Sequence, residues 1–302
     1  MKVTPVVQGK AMKQYLDSKK RETRVVGPVE RHLLAKPFDD RRMDVIHPSD
    51  VIKPEWCALA QYHAIIGNYI ETRDKVGLRL QSIFDEGHTI HAKWQNWLAE
   101  MGVLYGYWKC SACGKSKSMT LAGHMVHGVP CTDVGGVVEY AEVPLVSKKH
   151  MIAGHSDGWV KGLGEDFLIE IKSLGPGTFR TEAPALISGT DGDVEAAFRA
   201  IRQPFKSHFL QGQVYLHLCH LMVEEGLLES APEEIVFIYE LKANQDYKEF
   251  VIGYDPEYTA DIFDACADVA WAVENKRPPA CSVDAIKGCK RCAPYRGEEH
   301  AE

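Results

Sequence analysis

Several features that assign a chain to a class are missing from these 302 residues. No apolar run approaches the roughly 20 residues that a membrane-spanning helix needs. The start of the chain lacks the apolar core of a secretion signal, and we find no internal repeat and no low-complexity segment. We therefore expect a cytoplasmic protein that does not act on a membrane.

Positive charge is not in excess either. The chain carries 35 Lys and Arg against 42 Asp and Glu, a formal net charge of −7. Proteins that coat nucleic acid regardless of sequence rely on neutralising phosphates, so this balance argues against that class and leaves room only for a local basic groove. The pattern Gly-x4-Gly-Lys-Ser/Thr is also absent, which excludes a P-loop motor.

The most informative segment that is present lies in the middle of the chain. Residues 167–172 read Phe-Leu-Ile-Glu-Ile-Lys, and the alternating apolar positions predict a β-strand. Side chains two residues apart on a strand share a face, so Glu170 and Lys172 should project together. A glycine-containing turn before this strand lets residues 152–161 fold back as its hairpin partner, which carries Asp157 towards Glu170.

This charge pattern indicates metal-dependent phosphodiester chemistry. Two close carboxylates repel each other, whereas a hard divalent ion accepts carboxylate oxygens, a backbone carbonyl and water. A neighbouring lysine can orient or deprotonate a water molecule, or stabilise charge on a phosphate. The alternative is a surface hairpin with ordinary solvent-exposed charges.

Helical periodicity dominates two stretches. Residues 54–101 predict helix, with a stripe at three- to four-residue spacing formed by Ile83, Ile90, His91, Trp94, Leu98 and Met101. Residues 194–225 predict a second helix, broken near Pro204. One face of its second half holds Gln211, Tyr215, Leu218 and Met222.

The remaining elements predict the fold class. Strands are expected at 137–145, 235–241 and 247–254, a last helix at 256–276, and a Gly/Pro-rich connection at 175–193. This order predicts an α/β fold with a central mixed β-sheet flanked by helices. We expect a main domain over residues 51–302, preceded by a polar, basic extension, residues 1–50, to which we assign no chemistry.

The nine cysteines fall mostly into two groups that suggest metal sites. Residues 106–136 predict a small inserted zinc knuckle with a structural Zn²⁺. Its ligands would be Cys110, Cys113 and Cys131, with either His127 or His124 as the fourth. Cys219 and Cys266 lie within predicted helices, where we expect core thiols.

The second group lies near the end of the chain and reads Cys281-x7-Cys289-x2-Cys292. A Cys-x2-Cys turn places two thiolates on one metal, and a third cysteine nearby leaves one position to fill. Cys57, which lies upstream of His91 in the sequence, is the candidate for that position. Zinc and an iron-sulfur cluster both remain open at this point.

Four elements in this order resemble the RecB-type branch of the PD-(D/E)XK nucleases, which includes CRISPR-associated exonucleases. They are the helix with Gly87-His88-Thr89-Ile90-His91, the Asp157 hairpin, the Ile-Glu-Ile-Lys strand and the Gln211-x3-Tyr215 helix. Glu142 also lies in a segment that resembles a strand found in these enzymes just before the hairpin. The resemblance covers roughly residues 54–105 and 137–295 and implies a restriction-endonuclease-like core.

The resemblance also implies roles for individual residues. Mg²⁺ or Mn²⁺ would be bound by His91, Asp157, Glu170 and the backbone carbonyl of Ile171, with His88 as the competitor of His91. Lys172 would be the catalytic lysine. Gln211 and Tyr215 would hold the active site and the DNA strand.

Several nucleases of this branch hold a [4Fe-4S] cluster with one early cysteine and three near the C-terminus. By resemblance the ligands here would be Cys57, Cys281, Cys289 and Cys292, and the cluster would join the two ends of the domain. The relatives place a further cysteine after the Cys-x2-Cys pair, whereas here Cys281 stands before it. Zinc is the alternative occupant.

The resemblance therefore implies a DNA exonuclease that acts on single strands or strand ends, in repair, recombination, phage DNA metabolism or CRISPR adaptation. A helicase or recombination partner would act in trans. The alternatives are an endonuclease of the same superfamily and a catalytically silent nucleic-acid-binding or assembly module. A zinc regulator with a nucleic-acid-reading knuckle is a third reading.

Overall fold

A computed structural model describes residues 23–38, 41–71, 74–114, 116–121, 138–283 and 289–295. Contacts divide the chain into two units, Met1–Asp40 with Thr72–Asp85, and Arg41–Glu71 with Glu86–Glu302. None of the helices in the described ranges is long and apolar enough to cross a membrane.

The described residues form nine α-helices. They are α1 (Val26–Ala35), α2 (Pro48–Val51), α3 (Ala58–Ile65), α4 (Leu78–Glu100), α5 (Pro176–Glu182), α6 (Pro184–Ser188), α7 (Val194–Ala200), α8 (Lys206–Glu224) and α9 (Ala260–Glu274). In the first unit, the Glu30 carboxylate on α1 accepts a hydrogen bond from the Leu78 amide at the start of α4, at 2.7 Å. All further description concerns the second unit.

The central sheet is mixed, as the sequence predicts. Its seven strands within the described residues are β1 (Leu104–Cys110), β2 (Ser116–Leu121), β3 (Val138–Tyr140), β6 (Gly158–Val160), β7 (Phe167–Leu174), β8 (Glu234–Leu241) and β9 (Tyr247–Gly253). The order is β2-β1-β6-β7-β8-β9, with β3 also paired to β1. Only β7 and β8 run parallel, while the other pairs are antiparallel.

The predicted hairpin partner, residues 152–161, is two strands and not one. Its first part, β5 (Ile152–Ser156), pairs with β4 (Val143–Ser147) in a separate two-stranded sheet, and only β6 pairs with β7. The Ser156 hydroxyl bridges the change of partner, because it hydrogen-bonds the carbonyl oxygens of Gly158 and Ile169. Asp157 therefore lies at the junction between two sheets.

One helix prediction was wrong, and the predicted connection contains two short helices. Residues 54–101 do not form one continuous helix, because α3 ends at Ile65 and α4 begins only at Leu78. Gly67 ends α3 with a left-handed φ of 83°, a conformation that glycine adopts without steric cost. The connection 175–193 contains α5 and α6, each with proline in its first turn, a position that favours proline.

The break between α7 and α8 agrees with the prediction from Pro204. The predicted stripe on α4 is partly wrong, because Ile83 and Met101 are 44% and 58% exposed. Ile90 is buried, with Trp94 and Leu98 packed beside it against β7 and β8.

Strand β7 has hydrophobic layers on both sides. Ile169 and Ile171 pack with Ile90 of α4, while Leu168 and Leu174 belong to the larger core that includes α8. Since side chains alternate along a strand, Glu170 and Lys172 share a face, as the periodicity predicts, and that face is directed towards α8. The charged pair is therefore placed between the sheet and a helix.

Candidate active site

Four elements bring the predicted site residues together. Helix α4 supplies His91, the β5–β6 junction supplies Asp157, β7 supplies Glu170 and Lys172, and α8 supplies Gln211 and Tyr215. Helix α4 approaches β7 closely at Gly87, where a Cβ atom would lie 3.1 Å from the Ser173 hydroxyl. His91 follows one turn later and contacts Asp157, whereas His88 is exposed.

Asp157 connects the helix to the sheet. Its Oδ1 atom lies 3.2 Å from His91 Nδ1, and its Oδ2 atom accepts a hydrogen bond of 2.6 Å from the Ile171 amide. An octahedral ion holds each ligand atom at about 2.0–2.1 Å. Two ligand atoms in adjacent positions are therefore about 3 Å apart. The separation of Nδ1 and Oδ1 therefore fits two ligands of one divalent cation.

Glu170 is almost completely buried, at 3% exposure. Its Oε1 atom accepts a hydrogen bond of 2.6 Å from Lys172 Nζ, but its Oε2 atom is buried and has no hydrogen-bond partner in the described part of the chain. Burial, and then the charge of Asp157, raise the pKa of Glu170 to about 7, although Lys172 opposes this shift. A bare carboxylate oxygen in such a place is costly, and a cation would remove that cost.

Lys172 is held on two sides. Besides Glu170, its ammonium group donates to Gln211 Oε1 at 2.9 Å, and the Gln211 amide in turn donates to the Tyr215 hydroxyl at 2.7 Å. Burial raises the pKa of Tyr215 well above its ordinary value, so this hydroxyl stays protonated. The network fixes the position of the ammonium group beside the carboxylates.

The pKa of His91 is also shifted by its surroundings. Burial disfavours its charged form, but the hydrogen bond to Asp157 and the negative charges of Asp157 and Glu170 outweigh burial and raise the pKa of the imidazole. The surroundings therefore favour a positive charge close to Asp157. A divalent cation bound there would also place positive charge beside Asp157.

Sequence reasoning missed two neighbours of Asp157. Gln95 lies four residues after His91 on the same face of α4, and its amide donates to the Asp157 carbonyl oxygen at 2.8 Å. That i, i+4 spacing could have identified it. Glu142 was assigned only to a strand, although its carboxyl group interacts with Asp157, His91 and Gln95.

The raised pKa of Glu170 gives a testable dependence of stability on pH. In the folded protein the pKa of Glu170 lies above the ordinary 4.5. The contribution of Glu170 to the free energy of unfolding is therefore complete below about pH 4.5 and is lost as the pH rises through 7. A shift of this size corresponds to about 3 kcal/mol. In buffer freed of divalent ions, the free energy of unfolding of the wild type should fall between about pH 5 and 8. In Glu170→Gln this fall with pH should be smaller.

Thermal or urea unfolding at several pH values measures this difference. Glu165→Gln is the matched control, because Glu165 is exposed in the turn of the same hairpin. Equal slopes for Glu170→Gln and wild type would contradict the electrostatic account of Glu170.

Four cysteines converge at a second site, as the sequence predicts. The sulfur atoms of Cys57, Cys281, Cys289 and Cys292 all lie within 4.8 Å of one another, with 3.7 Å between Cys57 and Cys281. Four thiolates at 2.3 Å around one tetrahedral zinc ion are about 3.8 Å apart. A [4Fe-4S] cluster distributes its thiolates over four irons and so holds them farther apart.

Contacts around the cysteines join the beginning and end of the second unit. The Ser282 hydroxyl accepts from the Ala58 amide and donates to the Trp56 carbonyl, both at 3.0 Å. Tyr295 stacks on the His63 ring at 4.3 Å, and its hydroxyl oxygen accepts a hydrogen bond of 3.0 Å from the Ile70 amide. We call Cys57, Cys281, Cys289 and Cys292 together with these contacts the cysteine clamp.

The predicted zinc knuckle falls only partly in the described residues. Cys110 is buried at the end of β1, and Cys113 is exposed in the turn that follows. Residues His124, His127 and Cys131 lie outside the described ranges, so this zinc site stays a prediction. Cys219 and Cys266 are fully buried in α8 and α9, which confirms them as core thiols.

Comparisons with known proteins give low similarity. No protein-family model matches the chain, and no curated protein matches it. Among solved structures, LHK-Exo in complex with dAMP is 14% identical with a TM-score of 0.40, covering 78% of this chain and 90% of that chain. The alkaline exonuclease LHK-Exo from Laribacter hongkongensis has the same identity and coverages with a TM-score of 0.37. The structure of SSO0001 is 15% identical, covers 87% of each chain and has a TM-score of 0.35. At these values the function has to be argued from the geometry of the site.

Proposed function

We propose that this chain is a divalent-metal-dependent deoxyribonuclease that hydrolyses DNA from strand ends, with single strands as its main substrate. The observation that carries the proposal is the buried Oε2 atom of Glu170, which has no hydrogen-bond partner among the described residues and lies beside Asp157 and Lys172. A purely structural ion pair would not need a second carboxylate there. The choice of DNA and of strand ends rests on the resemblance in motif order.

The donor set fits a hard divalent cation. Asp157 and Glu170 offer carboxylate oxygens and His91 a ring nitrogen, with Asp157 Oδ1 and His91 Nδ1 3.2 Å apart. Bound Mg²⁺ or Mn²⁺ would supply Lewis acidity towards water and phosphate oxygens. The Ile171 amide fixes the orientation of the Asp157 carboxylate through its 2.6 Å hydrogen bond.

Lys172 supplies the remaining chemistry. Its ammonium group is fixed by Glu170 Oε1 and Gln211 Oε1, so it can hold an attacking water by hydrogen bonding and stabilise the negative charge that develops on the phosphate. Tyr215 acts one step away, because its hydroxyl accepts from Gln211 and so fixes the amide that holds the lysine.

The cysteine clamp has a structural role in this proposal. All four sulfurs are provided by the protein, which is typical of closed structural sites. The resemblance favours a [4Fe-4S] cluster, whereas the sulfur separations favour a single zinc ion. A visible absorption spectrum with iron and zinc counts on anaerobically purified protein decides between them.

A cleavage assay tests the proposed function. Linear single-stranded DNA labelled at either end should be shortened when Mg²⁺ or Mn²⁺ is present and should remain intact without it. Circular single-stranded DNA of the same length is the matched control and should resist digestion. The two labels report which end is attacked.

Two outcomes would contradict the proposal. Digestion of circles at the rate of linear strands would favour an endonuclease. Tight binding of single-stranded DNA with no cleavage in either metal would favour the silent binding module.

A further inference from the structure

A histidine and a tyrosine with no role in the proposed chemistry lie next to Lys172. The parallel pairing of β7 and β8 places Tyr239 in register with Lys172, and the Tyr239 side chain packs in the core that includes α8. His208 lies on α8 one turn before Gln211, and its Nδ1 atom is 2.5 Å from the Tyr239 hydroxyl. Gln211 itself contacts Lys172. Since residues three apart on a helix are neighbours, His208 lies on the side of the sheet that carries Lys172.

The hydrogen bonds of Tyr239 fix the tautomer of His208. Tyr239 is completely buried, and its hydroxyl oxygen accepts a hydrogen bond of 2.8 Å from the Phe205 amide. A tyrosine hydroxyl also has one proton to donate, and His208 Nδ1 is the only acceptor that it contacts in the described part of the chain. Nδ1 therefore accepts, and a neutral imidazole whose Nδ1 accepts carries its proton on Nε2.

The surroundings keep His208 uncharged. Burial, and then the positive charge of Lys172, lower the pKa of the imidazole to about 3. Burial also raises the pKa of Tyr239 well above its ordinary value, so the tyrosine keeps the proton that it donates. His208 is therefore a neutral N–H donor near a charged one.

The Nε2–H group of His208 is available to a ligand. It forms no hydrogen bond with any described residue, and it does not belong to the fully buried side-chain atoms that lack a partner there. The group therefore reaches solvent from a half-buried ring. Phosphate oxygens accept hydrogen bonds from such side-chain donors as well as from lysine.

We propose that His208 is a phosphate-binding residue of the proposed active site, whose Nε2–H donates to a phosphate oxygen of the DNA strand. Tyr239 is then a positioning residue, because it acts on the strand only through His208. This inference rests on the proposed function, since it needs a strand beside Lys172. A neutral donor adds a hydrogen bond without repelling Lys172 and the bound cation, as a further positive charge would.

The first measurement needs no DNA. In full-length protein labelled with nitrogen-15 histidine, long-range proton–nitrogen NMR should show His208 as the neutral Nε2–H tautomer, and loss of its signal in His208→Gln assigns it. In Tyr239→Phe the donor to Nδ1 is gone, so both neutral tautomers should appear. A charged ring or an Nδ1–H tautomer in the wild type would overturn the inference.

The second measurement compares two amides at position 208 in single-turnover cleavage of single-stranded DNA in Mg²⁺. An asparagine amide reaches the place of Nδ1, and a glutamine amide reaches the place of Nε2. His208→Asn should therefore lower the rate about tenfold or more, the loss typical of one hydrogen bond to a charged group. His208→Gln should retain most of the rate. If His208 served only as the partner of Tyr239, His208→Asn would instead be the milder change, and that order of rates would overturn the inference.

His217→Asn is the matched control. His217 lies on the same helix, and its Nδ1 atom is 2.6 Å from the Tyr254 hydroxyl, so this variant disturbs a similar pair without touching the proposed site. It should keep the wild-type rate. A wild-type rate in His208→Asn would overturn the inference and leave the proposed function intact. Failure of the wild type to cleave DNA would remove both.

Discussion

Replacing Lys172 by alanine is expected to reduce the rate of DNA cleavage by about 10³-fold, the loss typical of removing a group that stabilises charge in the transition state. Lys172 is held by both Glu170 and Gln211, so its charge has a fixed place beside the carboxylates. Asp157→Ala should have an effect at least as large, because it removes the partner of both His91 and the Ile171 amide.

Single-turnover digestion of end-labelled single-stranded DNA in Mg²⁺ measures these rates. Lys161→Ala is the matched control, because Lys161 lies in the same hairpin and pairs with Asp166 at 2.6 Å, away from the carboxylates. It should keep the wild-type rate. Metal content at the cysteine clamp should be unchanged in all three variants. If Lys172→Ala and Asp157→Ala both retained metal-dependent cleavage, the proposed active site would be wrong.

The second large effect is expected at the cysteine clamp. Cys292 is fully buried among the four sulfurs, and Cys292→Ala should remove the bound metal together with the free energy that metal binding contributes to folding. A loss of several kcal/mol lowers the melting temperature of a domain of this size by about 10 °C or more.

Cys266→Ala provides the comparison. Cys266 is equally buried but lies in α9 and is not one of the cysteines of the clamp. This variant loses only packing, so it should retain the full iron or zinc content and melt closer to the wild type. Full metal content in Cys292→Ala, with a melting temperature equal to that of Cys266→Ala, would show that Cys292 is not a ligand and would contradict the proposed metal site.

Local patterns in the sequence predicted much of this arrangement. The alternation around Glu170 and Lys172 is a property of one strand, and the spacing of Gln211 and Tyr215 is a property of one helix, so both follow from periodicity. The end of α3 was missed because a single glycine with left-handed φ overrides a long helical pattern.

Long-range pairing could not be predicted in the same way. The alternation of residues 152–161 is compatible with one strand or two, and the choice depends on β4, which approaches from elsewhere in the chain. Periodicity gives the face of a side chain but not its partner strand, so the change of partner between β5 and β6 is visible only in the folded structure.

The cysteine clamp also orders events during synthesis. Cys57 and Cys292 are separated by more than two hundred residues, and His91, Asp157, Glu170, Lys172, Gln211 and Tyr215 all lie between them. A ribosome therefore produces every proposed catalytic side chain before it completes the set of sulfur ligands. A metal that needs all four sulfurs could therefore be bound only after residue 292 has left the exit tunnel.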